Sequence, residues 1–198
     1  MTLAKSSGVV GVKNLKVTQL LTDEEGAAPT FDTPNKISIL GIKSLKMSKK
    51  TKEVESRGDE RLRDKETSFD SLDISWENEE IPMDAIVMIA GEAPIVHTVA
   101  TTGAEGTPEM NQIIESSDAV GNYFKIECDS KRGSKGKGVK NVGVEIFKVQ
   151  GSLSYDFVGE GFAVCSFKGT AFACEGTIAG VEHPYRRLTF ADGAITYA

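Results

Sequence analysis

Residues 48–67 hold almost no hydrophobic side chains. Val54 and Leu62 are the only large aliphatic residues in a stretch dominated by Lys, Arg, Glu and Asp. Such a segment cannot build a core of its own, yet it lies between an apolar run that begins at Ile37 and another that begins near Phe69. The chain must therefore leave its folded body and come back. A loop of this length without structure is uncommon in a compact domain and is usually either functional or disordered. The expectation is strand, charged arm, strand and short helix over residues 37–91, with the arm touching another chain.

Charge sharpens that expectation. Residues 43–66 carry nine basic and six acidic side chains, a net of +3, within a chain of formal charge -6, so the remainder carries -9. A basic arm on an acidic body attracts unlike surfaces of neighbouring copies. A charge run taken alone is more often a solvated face, so the arm needs support from the rest of the chain.

That rest reads as one β-rich domain spanning 1–198. The length suits a single domain with a proper core, and 20 glycines, few leucines and many Val, Ile, Ser and Thr favour strands. Residues 9–21 alternate as a first strand with a change of phase near Lys13 or Asn14. A turn-rich connection over 22–35 follows, holding Asp23, Gly26, Pro29, Asp32 and Pro34. Residues 37–47 form the next strand, whose alternation breaks around Gly41, where a bulge would switch its faces. After the arm, Leu72, Ile74 and Trp76 point one way as core, and Ser71, Asp73, Ser75 and Glu77 point the other. Residues 83–90 are apolar nearly all round and end at Gly91, which predicts a helix of two turns packed on the sheet. Residues 94–119 form a variable loop region with a weak helical turn near 110–114. Strands over 122–130 and 142–149 flank a Gly and Lys turn, and short strands at 153–157, 162–173, 187–190 and 194–197 complete the chain.

The motifs weigh against chemistry. Gly133-Ser134-Lys135-Gly136-Lys137-Gly138 has glycine at the sixth position of a phosphate loop, but Val139 stands where the lysine belongs and no Ser or Thr follows. Two histidines and no Gly-x-Ser-x-Gly leave little room for a nucleophile with its base. Three cysteines at no metal-like spacing read as buried thiols, so neither a metal nor a cofactor is expected. The acidic body and core-phase aromatics argue against a dedicated nucleic-acid binder. No apolar run is long enough to cross a bilayer, and residues 1–17 do not look like a secretory signal. The expectation is a non-enzymatic protein folded in a cytoplasm.

Several stretches resemble the major tail tube protein of long-tailed bacteriophages. They are Gly11-Val12-Lys13-Asn14-Leu15-Lys16-Val17, Phe31-Asp32-Thr33-Pro34, the charged arm, Asp73-Ile74-Ser75-Trp76 leading into Ile81-Pro82-Met83-Asp84-Ala85-Ile86, the strand pair over 122–149, and Gly161-Phe162-Ala163-Val164 with Phe167-Lys168-Gly169-Thr170-Ala171. The resemblance covers most of the chain as a pattern of elements and apolar positions; residues 94–119 and the cysteines do not map onto it. It implies a mainly β fold with one short α-helix, a β-sandwich or barrel of the tail-tube type. It also implies a structural virion protein that self-assembles into stacked, six-fold rings, a homo-oligomer built in the host cytoplasm. DNA would pass through the lumen without specific binding, and the tape measure, tail terminator and baseplate or tail-tip proteins would be partners. On this reading Lys49, Lys50, Lys52, Arg57, Arg61 and Arg63 belong to an inter-ring arm. Glu77, Glu79 and Glu80 form its acidic counter-surface, and Ser71, Asp73 and Ser75 face a lumen whose negative charge keeps DNA from sticking. Two alternatives compete: a monomeric β-sandwich ligand-binding module, and the tube of a related phage-like bacteriocin or secretion machine. A hydrolase or nucleotide enzyme is the weakest reading.

Overall fold

A computed structural model of the chain describes residues 9–58, 61–80, 83–91, 95–98, 109–112, 120–132, 141–156, 164–191 and 194–197. Their elements, in chain order, begin with β1 (Val9–Thr22), β2 (Thr30–Phe31), a 3-10 turn (Thr33–Asn35), β3 (Ile37–Ile39), β4 (Ile42–Gly58) and β5 (Arg61–Asn78). The helix α1 (Met83–Ala90) follows, then β6 (Ile95–Thr98), β7 (Glu109–Gln112), β8 (Phe124–Arg132) and β9 (Asn141–Asp156). The last are β10 (Val164–Phe172), β11 (Thr177–Ile178), β12 (Val181–Glu182) and β13 (Arg186–Ala191). The chain is mainly β, and its principal sheet curls as a half-barrel.

That sheet runs β2-β1-β8-β9-β10-β5-β4, with β3 also on β1 and β13 also on β9. The long β9 organises it. Its first half pairs with β8 on one edge and β13 on the other, and its second half pairs with β10. The sequence reads a break near Gly151, but Gly151 stands directly across from Gly169 within an unbroken ladder. Residues 194–197, expected as a strand, are instead irregular. Tyr197 lies over the end of β8 and donates its hydroxyl to the Cys128 carbonyl at 2.8 Å.

Gly41 hands the chain from one end of the sheet to the other. β3 pairs with β1 through Ile39 opposite Leu15, whereas β4 pairs with β5 from Ile42 opposite Asn78 onward. Only Leu40 and Gly41 separate the two ladders, and Gly41 has φ +66, a conformation that disfavours any side chain with a Cβ. The single strand over 37–47 with a bulge at Gly41 is corrected accordingly: the broken alternation marks a bend between two strands. Asn14, at φ 52, sits where the register of β1 on β8 shifts between Lys13 and Lys16.

Inside the curl lies the core. Leu72, Ile74 and Trp76 of β5 are buried with Leu15, Val17, Phe124, Ile126, Val144, Ile146, Val149 and Phe167. Trp76 stacks on Phe167 with centroids 3.9 Å apart, and Phe124 meets the same ring edge-on. The helix α1 presents Ala85, Met88 and Ile89, spaced as one helical face, to this core. Its end follows the αL pattern: Gly91 has φ +77 and its N–H donates to the Val87 carbonyl at 3.0 Å. Asn122 secures the same end by donating to the Met88 carbonyl. Pro82 lies outside the described residues.

Residues 94–119 contain more order than their composition suggests. β6 and β7 pair antiparallel, with His97 opposite Met110. The helical turn expected near 110–114 is corrected accordingly, since residues 109–112 are strand. Its polar alternation carries no apolar face by which a strand is recognised in a sequence.

Candidate functional site

The arm is a ladder. Of residues 48–67, read from the sequence as a stretch without structure, 48–58 belong to β4 and 61–67 to β5, strands of 17 and 18 residues. Beyond Leu72, which pairs with Ala171 of β10, β5 pairs with β4 alone, down to Gly58 opposite Arg61. At about 3.3 Å per residue, the eight residues Thr51–Gly58 make a two-stranded ribbon about 26 Å long. Asp59 and Glu60, at its tip, lie outside the described residues. The sequence hides this strand pair because its cross-strand partners are charged or polar on both faces. In register Lys52 stands across from Ser68, Glu53 across from Thr67 and Glu55 across from Lys65, a sequence without the apolar period that marks a strand.

An aromatic clamp fixes the base of the ribbon. Phe69 stacks on Tyr185 with centroids 4.0 Å apart and planes at 15°, and the Lys49 ammonium lies 5.8 Å from the centre of the Phe69 ring. Tyr185 arrives from the segment before β13, so the ribbon leaves the body at a defined angle. Lys49, Lys50 and Lys52 are exposed on β4, Arg57 and Arg61 occupy ladder positions near the tip, and Arg63 falls at the register shift beside them.

Next to the ribbon, β4, β5, β10 and β9 present a polar face. Register aligns it in rows: Ser44, Glu77, Ser166 and Ser154; Lys46, Ser75, Lys168 and Ser152; Ser48, Asp73, Thr170 and Gln150. Of the three side chains assigned from the resemblance to a lumen, Asp73 and Ser75 are part-exposed on this face. Ser71 is only 6% exposed and donates to Asp70. Asp73 is matched by Lys50 at 2.9 Å. The face therefore mixes lysines, carboxylates and hydroxyls, and a purely negative wall does not describe it. The acidic residues beyond β5 are exposed, but Glu79 already meets Lys43 of its own chain at 3.1 Å. Glu77 and Glu80 remain the more available members of that group.

On the side of β8 and β9 turned away from the core lies a charged layer that sequence reading missed. Lys125, Glu127 and Glu145 are each about 1% exposed. Glu127 and Glu145 stand directly across from each other, an arrangement that repels unless cations intervene. Three do so. Lys125 lies 2.5 Å from Glu127 and 3.6 Å from Glu145, Lys36 reaches both Glu127 oxygens at 3.1 Å, and Arg187 donates twice to Glu145, once at 2.7 Å. The bond to Glu145 chiefly raises the Arg187 pKa above its ordinary value. The available signal was the alternation Phe124, Lys125, Ile126, Glu127, Cys128, in which every second residue is charged and every other one is core.

A second clasp ties two loops together. Asp23 accepts hydrogen bonds from Lys148 at 2.7 Å and from the backbone N–H groups of Glu175 and Gly176 at 3.0 and 3.1 Å. Burial by itself raises the Asp23 pKa, but these three bonds outweigh it and hold the carboxyl below its usual range. A depressed carboxylate contributes stability above its unfolded pKa and loses it as pH falls through the folded value. Asp23→Asn is therefore expected to cost about 2 kcal/mol at neutral pH. The difference from the parent should stay flat from pH 5 to 8 and shrink below about pH 4. Urea melts at several pH values check this; a difference independent of pH down to pH 2 contradicts the assignment.

Among the described residues, burial also shifts the three thiols, pushing Cys128 and Cys174 up to about 12 and raising Cys165 as well, which leaves little thiolate near neutrality. The His183 Nδ1 sits 3.2 Å from the Cys174 carbonyl on a tight turn. Among the described residues, no group of three His, Cys, Asp or Glu side chains is placed to hold a metal ion. No helix among them is long and apolar enough to cross a membrane. The sequence matches no protein-family model and no curated protein.

Proposed function

We propose that this chain is a structural subunit that assembles with copies of itself into stacked rings forming a tail tube. The observation that carries the reading is the ribbon. Two strands that, among the described residues, pair only with each other are marginal in water. Here they run about 26 Å past the rest of the sheet, and an aromatic clamp at their base sets their direction. A projecting, charged element held at a fixed angle is suited to bind a surface on another copy. Because the ribbon is far from the acidic residues near Glu77 and Glu80 in its own sheet, the contact is heterologous, and a heterologous contact that does not close builds a filament. Resemblance to the phage tail tube family supplies the six-fold ring, the DNA conduit and the tape measure, terminator and tail-tip partners.

In this assembly the ribbon bridges successive rings, and the polar face of β4, β5, β10 and β9 lines the channel. Individual exposed ion pairs contribute about 0 to 1 kcal/mol each, so many act together and salt weakens them. Sedimentation velocity tests the proposal over a concentration series at low and high salt. The expected result is concentration-dependent growth into large particles that recedes at high salt. A single monomer boundary under every condition, even with preformed tail tips added as initiators, favours the ligand-binding module instead.

A further inference from the structure

The polar sheet face contains a row of free cations for which tube assembly has no use. Lys46 stands across from Ser75, Ser75 across from Lys168, and Lys168 across from Ser152. Strands about 4.8 Å apart put the two lysine backbones about 10 Å from each other, with the serine between them. Both lysines are exposed, and among the described residues neither takes part in an ion pair. They border an open groove of about 560 Å³, together with Ser48, Ser75 and Thr170. Asp73 also borders it, but Lys50 at 2.9 Å offsets that charge. Glu77, one row along, is the nearest carboxylate without an ion-pair partner.

We infer that this row binds the phosphodiester backbone of a nucleic acid, weakly and without regard to sequence. Two ammonium groups over a floor of hydroxyls are the side chains that contact phosphate oxygens. Arginine's planar fork suits carboxylates and phosphates alike; the groove holds none, so attachment rests on the point charges of its two lysines. No aromatic side chain lines it either, so bases have nothing to stack on. The acidic composition of the chain opposes DNA binding, and against it two lysines give only transient attachment. The site belongs to a single chain. Only the statement that DNA meets this face in the assembly rests on the tube reading.

The test uses the full-length, unassembled protein and a fluorescein-labelled DNA duplex of about 30 base pairs, followed by anisotropy as salt is varied. Two phosphates neutralised give a slope of log K against log salt of about -1.8, a loss of about 60-fold in affinity for a tenfold rise in salt. Lys46→Gln with Lys168→Gln should flatten that slope and abolish binding at low salt, whereas Lys13→Gln, outside this face, should leave both unchanged. Glu77→Gln should tighten binding several-fold, a gain that misfolding cannot imitate. Absence of binding by the parent protein at low salt, or an unchanged slope in the double lysine variant, overturns the site. Equally tight binding of polyglutamate overturns the choice of phosphodiester and assigns the row to carboxylates of a protein.

Discussion

A variant carrying Lys49→Glu, Lys52→Glu and Arg57→Glu is expected to remain a folded monomer and to form no tubes. The three substitutions reverse six charge units, four on the ribbon at Lys52 and Arg57 and two at its base at Lys49. All three lie on the ladder outside the core, and Lys50, which pairs with Asp73, is left in place. Circular dichroism should therefore resemble that of the parent, and thermal unfolding should show a loss of about 1 kcal/mol from the Lys49 contact with Phe69, with little added by the other two surface changes. Assembly should respond very differently. Several weak contacts repeated between rings are each turned from attraction to repulsion, and like-charge juxtaposition at an interface costs several kcal/mol. Electron microscopy and sedimentation of the purified variant provide the measurement. Tubes of normal length from this protein contradict the assignment of the ribbon to the inter-ring contact.

Glu145→Ala should destabilise the fold more than any surface change. It removes the carboxylate that holds Arg187 and shares the 1%-exposed Lys125 with Glu127, on which Lys36 already draws. Breaking a buried pair by removing one partner costs about 3–5 kcal/mol. For a chain of this size that lowers the melting temperature by roughly 6–20 °C. Arg187 is less confined, since 35% of its side chain is exposed, and once released it can hydrate. The double variant Glu145→Ala with Arg187→Ala should consequently cost less than the sum of its parts, a coupling that a double-mutant cycle resolves. A loss under 1 kcal/mol for Glu145→Ala shows that the layer is not an energetic anchor of β8, β9 and β13.

Several elements could be read without coordinates because their physics is local. Alternation alone identifies the core face of Leu72, Ile74 and Trp76. The Gly41 bend follows from an apolar run that loses its phase at a glycine, and the end of α1 follows from Gly91. What was hidden depends on partners distant in sequence. The ribbon has no apolar period, so its strands appear only once Glu55 is seen across from Lys65. Glu127 and Glu145 look like solvated charges until β8 and β9 are laid side by side under Lys36 and Arg187. Register also reveals the lysine row, since Lys46 and Lys168 are more than a hundred residues apart and meet only because β5 lies between their strands. A sequence shows which residues alternate; it does not show which alternating faces stack.

The most direct measurement is negative-stain electron microscopy of the purified protein over a range of protein and salt concentrations, with tail tips added as nuclei. The proposed role predicts rings or hollow tubes that lengthen with protein concentration and shorten at high salt. Uniformly small particles in every condition, nuclei included, contradict it.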